Sequence, residues 1–99
     1  MNAHEIYFEL NWSKMQEEHE ICANQIILAR AALGLSIREL SLSTGISMSS
    51  LKRYELAAMV PTATKGHLQL LKSFFEARGI EFVGAPDEGP GIRIWNRGD

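Results

Sequence analysis

Hydrophobic and polar positions change period along the chain, and each change predicts an element. In HEIYFELNW, Ile6, Phe8, Leu10 and Trp12 fall on one side, with Glu5, Tyr7, Glu9 and Asn11 on the other. Period two with aromatic and β-branched content is the pattern of a strand with one buried face. A helix over 6–10 would leave Phe8 and Trp12 on a different face, so the strand is favoured.

From Met15 the step lengthens. Met15, His19, Cys22, Ile26, Ala29 and Leu33 recur at intervals of four and three, the stripe of an amphipathic helix. Ser13 with Gln16 supplies a capping-box start and Gly34 a stop, so a helix is predicted over about 14–33, in one piece or broken near Glu20. Ser36 with Glu39 opens a second helix that Thr44-Gly45 closes, and Ser47 opens a third that runs through about Glu55. After the connector LAAMVP, Pro61 stands at or just before a fresh start, with Thr62 or Thr64 as cap. Leu68, Leu71 and Phe75, flanked by Leu70 and Phe74, give this last helix a wide buried face that ends at Gly79.

The tail returns to period two. Ile80 and Phe82 alternate with Glu81 and Val83, then Ile92 and Ile94 with Arg93 and Trp95, across the turn-rich APDEGPG. That is a β-hairpin. The expected fold is therefore mainly α, four to five helices, with an N-terminal strand and a C-terminal hairpin. It divides into an arm with strand and helix start (1–20), a helical domain (21–79) and the hairpin (80–99).

The 99 residues suit one domain with a modest core. No apolar run is long enough to cross a bilayer, and the start lacks the basic-then-apolar layout of a signal peptide, so a cytoplasmic protein is expected. The single cysteine, Cys22, excludes an internal disulfide. His4, His19 and His67 do not fall with it at metal-ligand spacing. Ser49-Ser50 has no base and acid nearby, and no phosphate-cradling glycine loop is present, so neither an enzyme nor a cofactor is expected.

Net charge is −2, but its distribution matters more. Residues 1–21 carry one lysine against five glutamates, and 80–99 carry a balance of −2. Residues 22–79 carry seven basic side chains (Arg30, Arg38, Lys52, Arg53, Lys65, Lys72, Arg78) against three acidic ones. Phosphate binding needs local positive potential rather than a positive total, and the middle of the chain can supply it.

The stretch SIRELSLSTGISMSSLKRYE, residues 36–55, has the parts of a helix-turn-helix. Leu40, Ile46, Leu51 and Tyr54 supply the apolar corner, Ser41 is small where the helices cross, and Gly45 can take the positive φ of the turn. Ser47, Met48, Ser49, Ser50, Lys52 and Arg53 are left facing outward. With its preceding helix, ICANQIILARAALGLSIRELSLSTGISMSSLKRYE resembles the phage-repressor-like (Cro-type, Xre family) helix-turn-helix transcriptional regulators. It shares the order "ARxxLGLS", "xxELxxxxG" and "SxSxxxRxE", and the resemblance covers roughly residues 21–78. The tail GIEFVGAPDEGPGIRIW is similar to a subgroup of small bacterial regulators that end in a β-hairpin.

The resemblance implies a double-stranded DNA partner. Ser47, Met48, Ser49 and Ser50, with Lys52 and Arg53, would meet base edges and flanking phosphates. Ser36 and Arg38 would hold a phosphate at the start of the second helix, and Lys65 a further one. Family members often carry glutamine where this chain has Ile37 and again where it has Met48. Neither replacement can make glutamine's hydrogen bonds, so sequence readout shifts toward Ser49, Lys52 and Arg53. "ELAA" also replaces a common Glu-Arg-Gly after the third helix.

A two-stranded hairpin is marginal alone, so the N-terminal strand is expected to join it, within one chain or across two. Tyr7, Phe8, Trp12, Phe82 and Trp95 are expected in the core or at an interface, and pairing across two chains would make Phe8, Trp12, Phe82, Ile94 and Trp95 a homodimer interface, matching a palindromic operator. The functional expectation is a dimeric repressor of its own or neighbouring genes. The alternative is a protein-interaction module, such as an antitoxin or anti-activator, using the same helices on a protein partner.

Overall fold

The computed structural model describes residues 20–95, so the strand expected over 6–12, with Phe8 and Trp12, and the helix start at Ser13 lie outside the described residues. Within them the chain is mainly α. Helices α1 (Ala23–Ala32), α2 (Ile37–Thr44), α3 (Met48–Glu55) and α4 (His67–Glu76) precede a hairpin of β1 (Ile80–Val83) and β2 (Gly91–Ile94).

Of the two forms expected for the first helix, the uninterrupted one is excluded, because the backbone at Cys22 is extended (φ −101°, ψ 169°) and α1 begins at Ala23. The cause is local. The Cys22 N–H donates to Oε1 of Gln25 in the first turn of α1 at 3.0 Å, and the Ala23 N–H donates to the Met59 carbonyl, outside the helix, at 2.8 Å. Ile21 and Cys22 are buried.

Helices α2 and α3 follow the sequence closely. Ser36 Oγ accepts from the Glu39 N–H at 3.0 Å while the Glu39 carboxylate accepts from the Ser36 N–H at 2.9 Å. Gly45 closes α2 at φ 80°, a left-handed conformation that costs glycine nothing. Ser41 Oγ donates to the Ile46 carbonyl at 2.6 Å and Thr44 Oγ1 accepts from the Ile46 N–H at 3.2 Å, fixing the short turn before Ser47 caps α3.

The start of α4 is a correction. Neither Thr62 nor Thr64 caps it, and Pro61 is buried in the connector rather than opening a helix. Gly66, at φ 87°, is the cap residue. Thr64 is committed elsewhere: its N–H donates to the Tyr54 hydroxyl at 3.2 Å, and its carbonyl accepts from the His67 N–H at 2.9 Å. The buried face of α4 is also narrower than expected, since Leu71 and Phe75 are buried but Leu70 is exposed.

Ile21, Ile26, Ala29, Leu40, Ile46, Leu51, Tyr54, Leu71, Phe75, Ile80 and Phe82 form one core. Burial of this kind makes a Leu51→Ala change cost about 3 kcal/mol. The hairpin pairs Ile80 with Ile94 and Phe82 with Ile92, antiparallel. It docks on the helices through the Phe75–Phe82 edge contact (6.0 Å between centroids) and through Gln25. Gln25, buried, donates from Nε2 to the Val83 carbonyl at 3.1 Å and the Gly91 carbonyl at 2.9 Å, one on each strand. Among the described residues no helix is long and apolar enough to cross a membrane.

Candidate nucleic-acid interface

Helix α3 is divided by its burial. Leu51 and Tyr54 enter the core, which leaves Ser47, Met48, Ser49, Lys52 and Arg53 exposed and Ser50 half-buried. Two contacts hold the helix in place. The Arg30 guanidinium on α1 makes two hydrogen bonds to the Glu55 carboxylate, at 2.7 and 2.9 Å, and a third to the Leu35 carbonyl at 2.9 Å. The Tyr54 hydroxyl lies 2.7 Å from His67 Nδ1 on α4. The Thr64 amide donates to the same hydroxyl oxygen at 3.2 Å, so this one atom ties α3 to both the connector and α4.

The expected contact residues differ in how free they are. The Ser47 hydroxyl caps its helix, accepting from the Ser50 N–H at 3.2 Å and donating to Ser50 Oγ at 3.0 Å, which engages both side chains locally. Ser49 Oγ stands 3.4 Å from Ser47 Oγ, a long contact that leaves it the most available of the three serines. Met48 is 40 % exposed, an apolar side chain at the start of the helix. Lys52 has no ion-pair partner among the described residues. Arg53 is turned back: its guanidinium lies 5.2 Å from the Tyr54 ring centroid and reaches toward the Thr62 carbonyl at 3.5 Å.

Ser49, Lys52 and Arg53 line one broad, open depression with Leu56, Ala57, Pro61 and Thr62. Lys65 is not on α4 but in the connector, where it lines a neighbouring depression that also includes Pro61 and Thr62. Ser36 and Arg38 line neither of these depressions. At the α2 start, the Ser36 amide and hydroxyl are both engaged by Glu39, whose carboxylate is held below its ordinary range by those hydrogen bonds. A phosphate there would meet the free amides of Ile37 and Arg38 and the exposed Arg38 side chain, against a carboxylate already seated on the same helix end.

The residues assigned to a dimer interface separate. Phe82 is 5 % exposed and packed into the core of its own chain, so it presents no surface to a partner. Ile94 and Trp95 are 62 % and 57 % exposed. Trp95 is tied to the outer hairpin face by its indole N–H, which donates to Glu81 Oε1 at 2.8 Å, beside the Arg93–Glu81 ion pair at 3.2 Å.

Sequence reasoning missed the Arg30–Glu55 clamp, the Gln25 tie and the Tyr54–His67 contact. Only Gln25 left a signal, a C-x-x-Q whose glutamine accepts from the cap residue's amide as in a capping box. The other two pairs join residues 25 and 13 positions apart, with no periodicity to betray them. Among the described residues no group of three or more His, Cys, Asp and Glu is placed to hold a metal ion. Comparison with models of known protein families, with curated proteins and with solved structures finds no match to any of them.

Proposed function

We propose that this chain is a sequence-specific DNA-binding transcriptional regulator that lays α3 in the major groove. The supporting observation is the division of α3: Leu51 and Tyr54 anchor it, Arg30–Glu55 clamps its end, and Met48, Ser49 and Lys52 are left outward and largely uncommitted. Serine hydroxyls can bond either donors or acceptors on base edges, methionine suits a thymine methyl, and lysine suits guanine O6/N7 or a phosphate. Arg38, Arg53 and Lys65 then serve as phosphate contacts that set register rather than sequence. A bacterial, cytoplasmic repressor acting as a homodimer on a palindrome completes this reading, with the exposed Ile94 and Trp95 as the dimer contact.

The test is fluorescence anisotropy with the DNA upstream of its own gene, at several salt concentrations, against random duplex. Selective binding that weakens with salt is expected, with a log–log slope of about −0.9 per phosphate engaged. Binding no tighter than to random DNA would overturn it.

A second reading has one specific observation in its favour. Leu56, just after α3, is 85 % exposed beside Lys52, Arg53 and Pro61 in an apolar-lined depression. Such a surface suits a protein partner carrying an apolar anchor, as for an antitoxin or anti-activator. Leu56→Asp should abolish that partner's binding and leave DNA affinity within about tenfold, the shift expected of one added charge near the phosphates.

A further inference from the structure

Ser49, Lys52, Arg53 and Leu56 recur as i, i+3, i+4 and i+7, the spacing that sets side chains along one face of a helix. Leu51 and Tyr54 face the core instead. The outward stripe of α3 therefore runs from a hydroxyl through two cations to a leucine that is 85 % exposed at the helix end. The connector completes the depression along this stripe with Ala57, Pro61 and Thr62. No acidic side chain lines it. Lys52 has no ion-pair partner among the described residues, and Arg53 reaches along the wall toward the Thr62 carbonyl at 3.5 Å.

DNA uses only part of such a surface. Phosphates would engage Lys52 and Arg53 and leave Leu56 in water, because an apolar side chain gains by burial against carbon and not against a charged oxygen. A cationic rim beside an apolar floor is complementary to a protein segment in which a large apolar side chain is flanked by carboxylates. We propose that this stripe is a docking site for such an acidic segment, its apolar anchor on Leu56, Ala57 and Pro61 and its carboxylates on Lys52 and Arg53, and that its occupancy excludes DNA. The proposal deepens the protein-partner reading, and its exclusion step rests on α3 being the helix that faces DNA. Release then needs no change of fold: partner and DNA compete for the same two cations, and each weakens the other by the same factor. The anchor also makes the partner less sensitive to salt than DNA is, since apolar burial is not screened.

The probe is a random linear peptide library displayed on phage and selected against the full-length protein, followed by anisotropy with the enriched peptide. The expected consensus is a tryptophan, phenylalanine or leucine with glutamate or aspartate on both sides, and duplex DNA from upstream of the gene should displace the peptide. Leu56→Ser should weaken the peptide about tenfold and DNA less than about twofold, whereas Lys52→Ala should weaken both about tenfold. Leu42→Ser, at a leucine 76 % exposed on α2 that lines neither depression, should leave the peptide's affinity as it is. No enrichment, a consensus without carboxylates, or binding indifferent to Leu56→Ser would overturn the docking site. A ternary complex of protein, peptide and DNA would overturn the exclusion. A dimer that Leu56→Ser turns into a monomer would place a second copy in the depression, against the proposal. If no duplex binds, the DNA reading fails by itself, and the comparison of Leu56→Ser with Leu42→Ser still decides the docking site.

Discussion

The Arg30 guanidinium and the Glu55 carboxylate meet through two hydrogen bonds of 2.7 and 2.9 Å, joining the last turn of α1 to the last residue of α3. Both side chains are mostly buried, and the carboxylate raises the guanidinium's proton affinity above its ordinary range. The pair fixes the angle at which the exposed face of α3 is offered. Glu55→Ala leaves a mostly buried cation without its carboxylate, holding only the Leu35 carbonyl, which should destabilise the fold by about 2 kcal/mol. Chemical denaturation of the variant checks this, and a loss under ~0.5 kcal/mol, the level of an exposed ion pair, would show that the clamp contributes little.

Gln25 is the other long-range tie. Replacing it by leucine removes its bonds to the Val83 and Gly91 carbonyls and the Cys22 amide. A cost of about 2–3 kcal/mol is expected, with hairpin amides exchanging faster than those of α2. Uniform exchange across both regions would mean that the hairpin is held mainly by Phe82.

Gly45→Ala isolates a backbone effect. A Cβ there meets nothing within 4 Å, so the cost comes only from holding alanine at φ 80°, about 1 kcal/mol. A thermal melt showing no loss would place the turn in a different conformation.

The Glu39 carboxylate, held down by its bonds to Ser36, gives α2 a pH dependence of known sign. A lowered value in the folded state means the stabilisation is present above the ordinary carboxylate range and is lost as pH falls through the folded value. Glu39→Gln should therefore lower stability near neutrality and flatten the acid limb below about pH 4.5. Parallel acid limbs for the two proteins would count against it.

At the interface, Lys52→Ala is expected to weaken operator binding about tenfold and to reduce the salt slope by about one. Arg53→Ala should do less, because the guanidinium is already turned toward Tyr54 and Thr62. Anisotropy titrations of both variants, side by side, decide the ranking.

The sequence by itself determined the local elements wherever a cap and a period coincide. Ser36 with Glu39, Gly45, Ser47 and the alternation in the tail placed α2, the turn, α3 and the hairpin, because each depends on atoms within a few residues. The outward face of α3 was legible for the same reason: once Leu51 and Tyr54 are inside, helical geometry leaves Met48, Ser49 and Lys52 outside. Tertiary structure alone decided where α1 and α4 begin, since the Ala23 amide is taken by Met59 and the Thr64 amide by Tyr54. It alone decided between core and interface for Phe82, turned Arg53 aside and brought Glu20 to the depression that Lys65 lines. These outcomes depend on residues far apart in sequence arriving together, and a propensity or a period carries no record of such encounters.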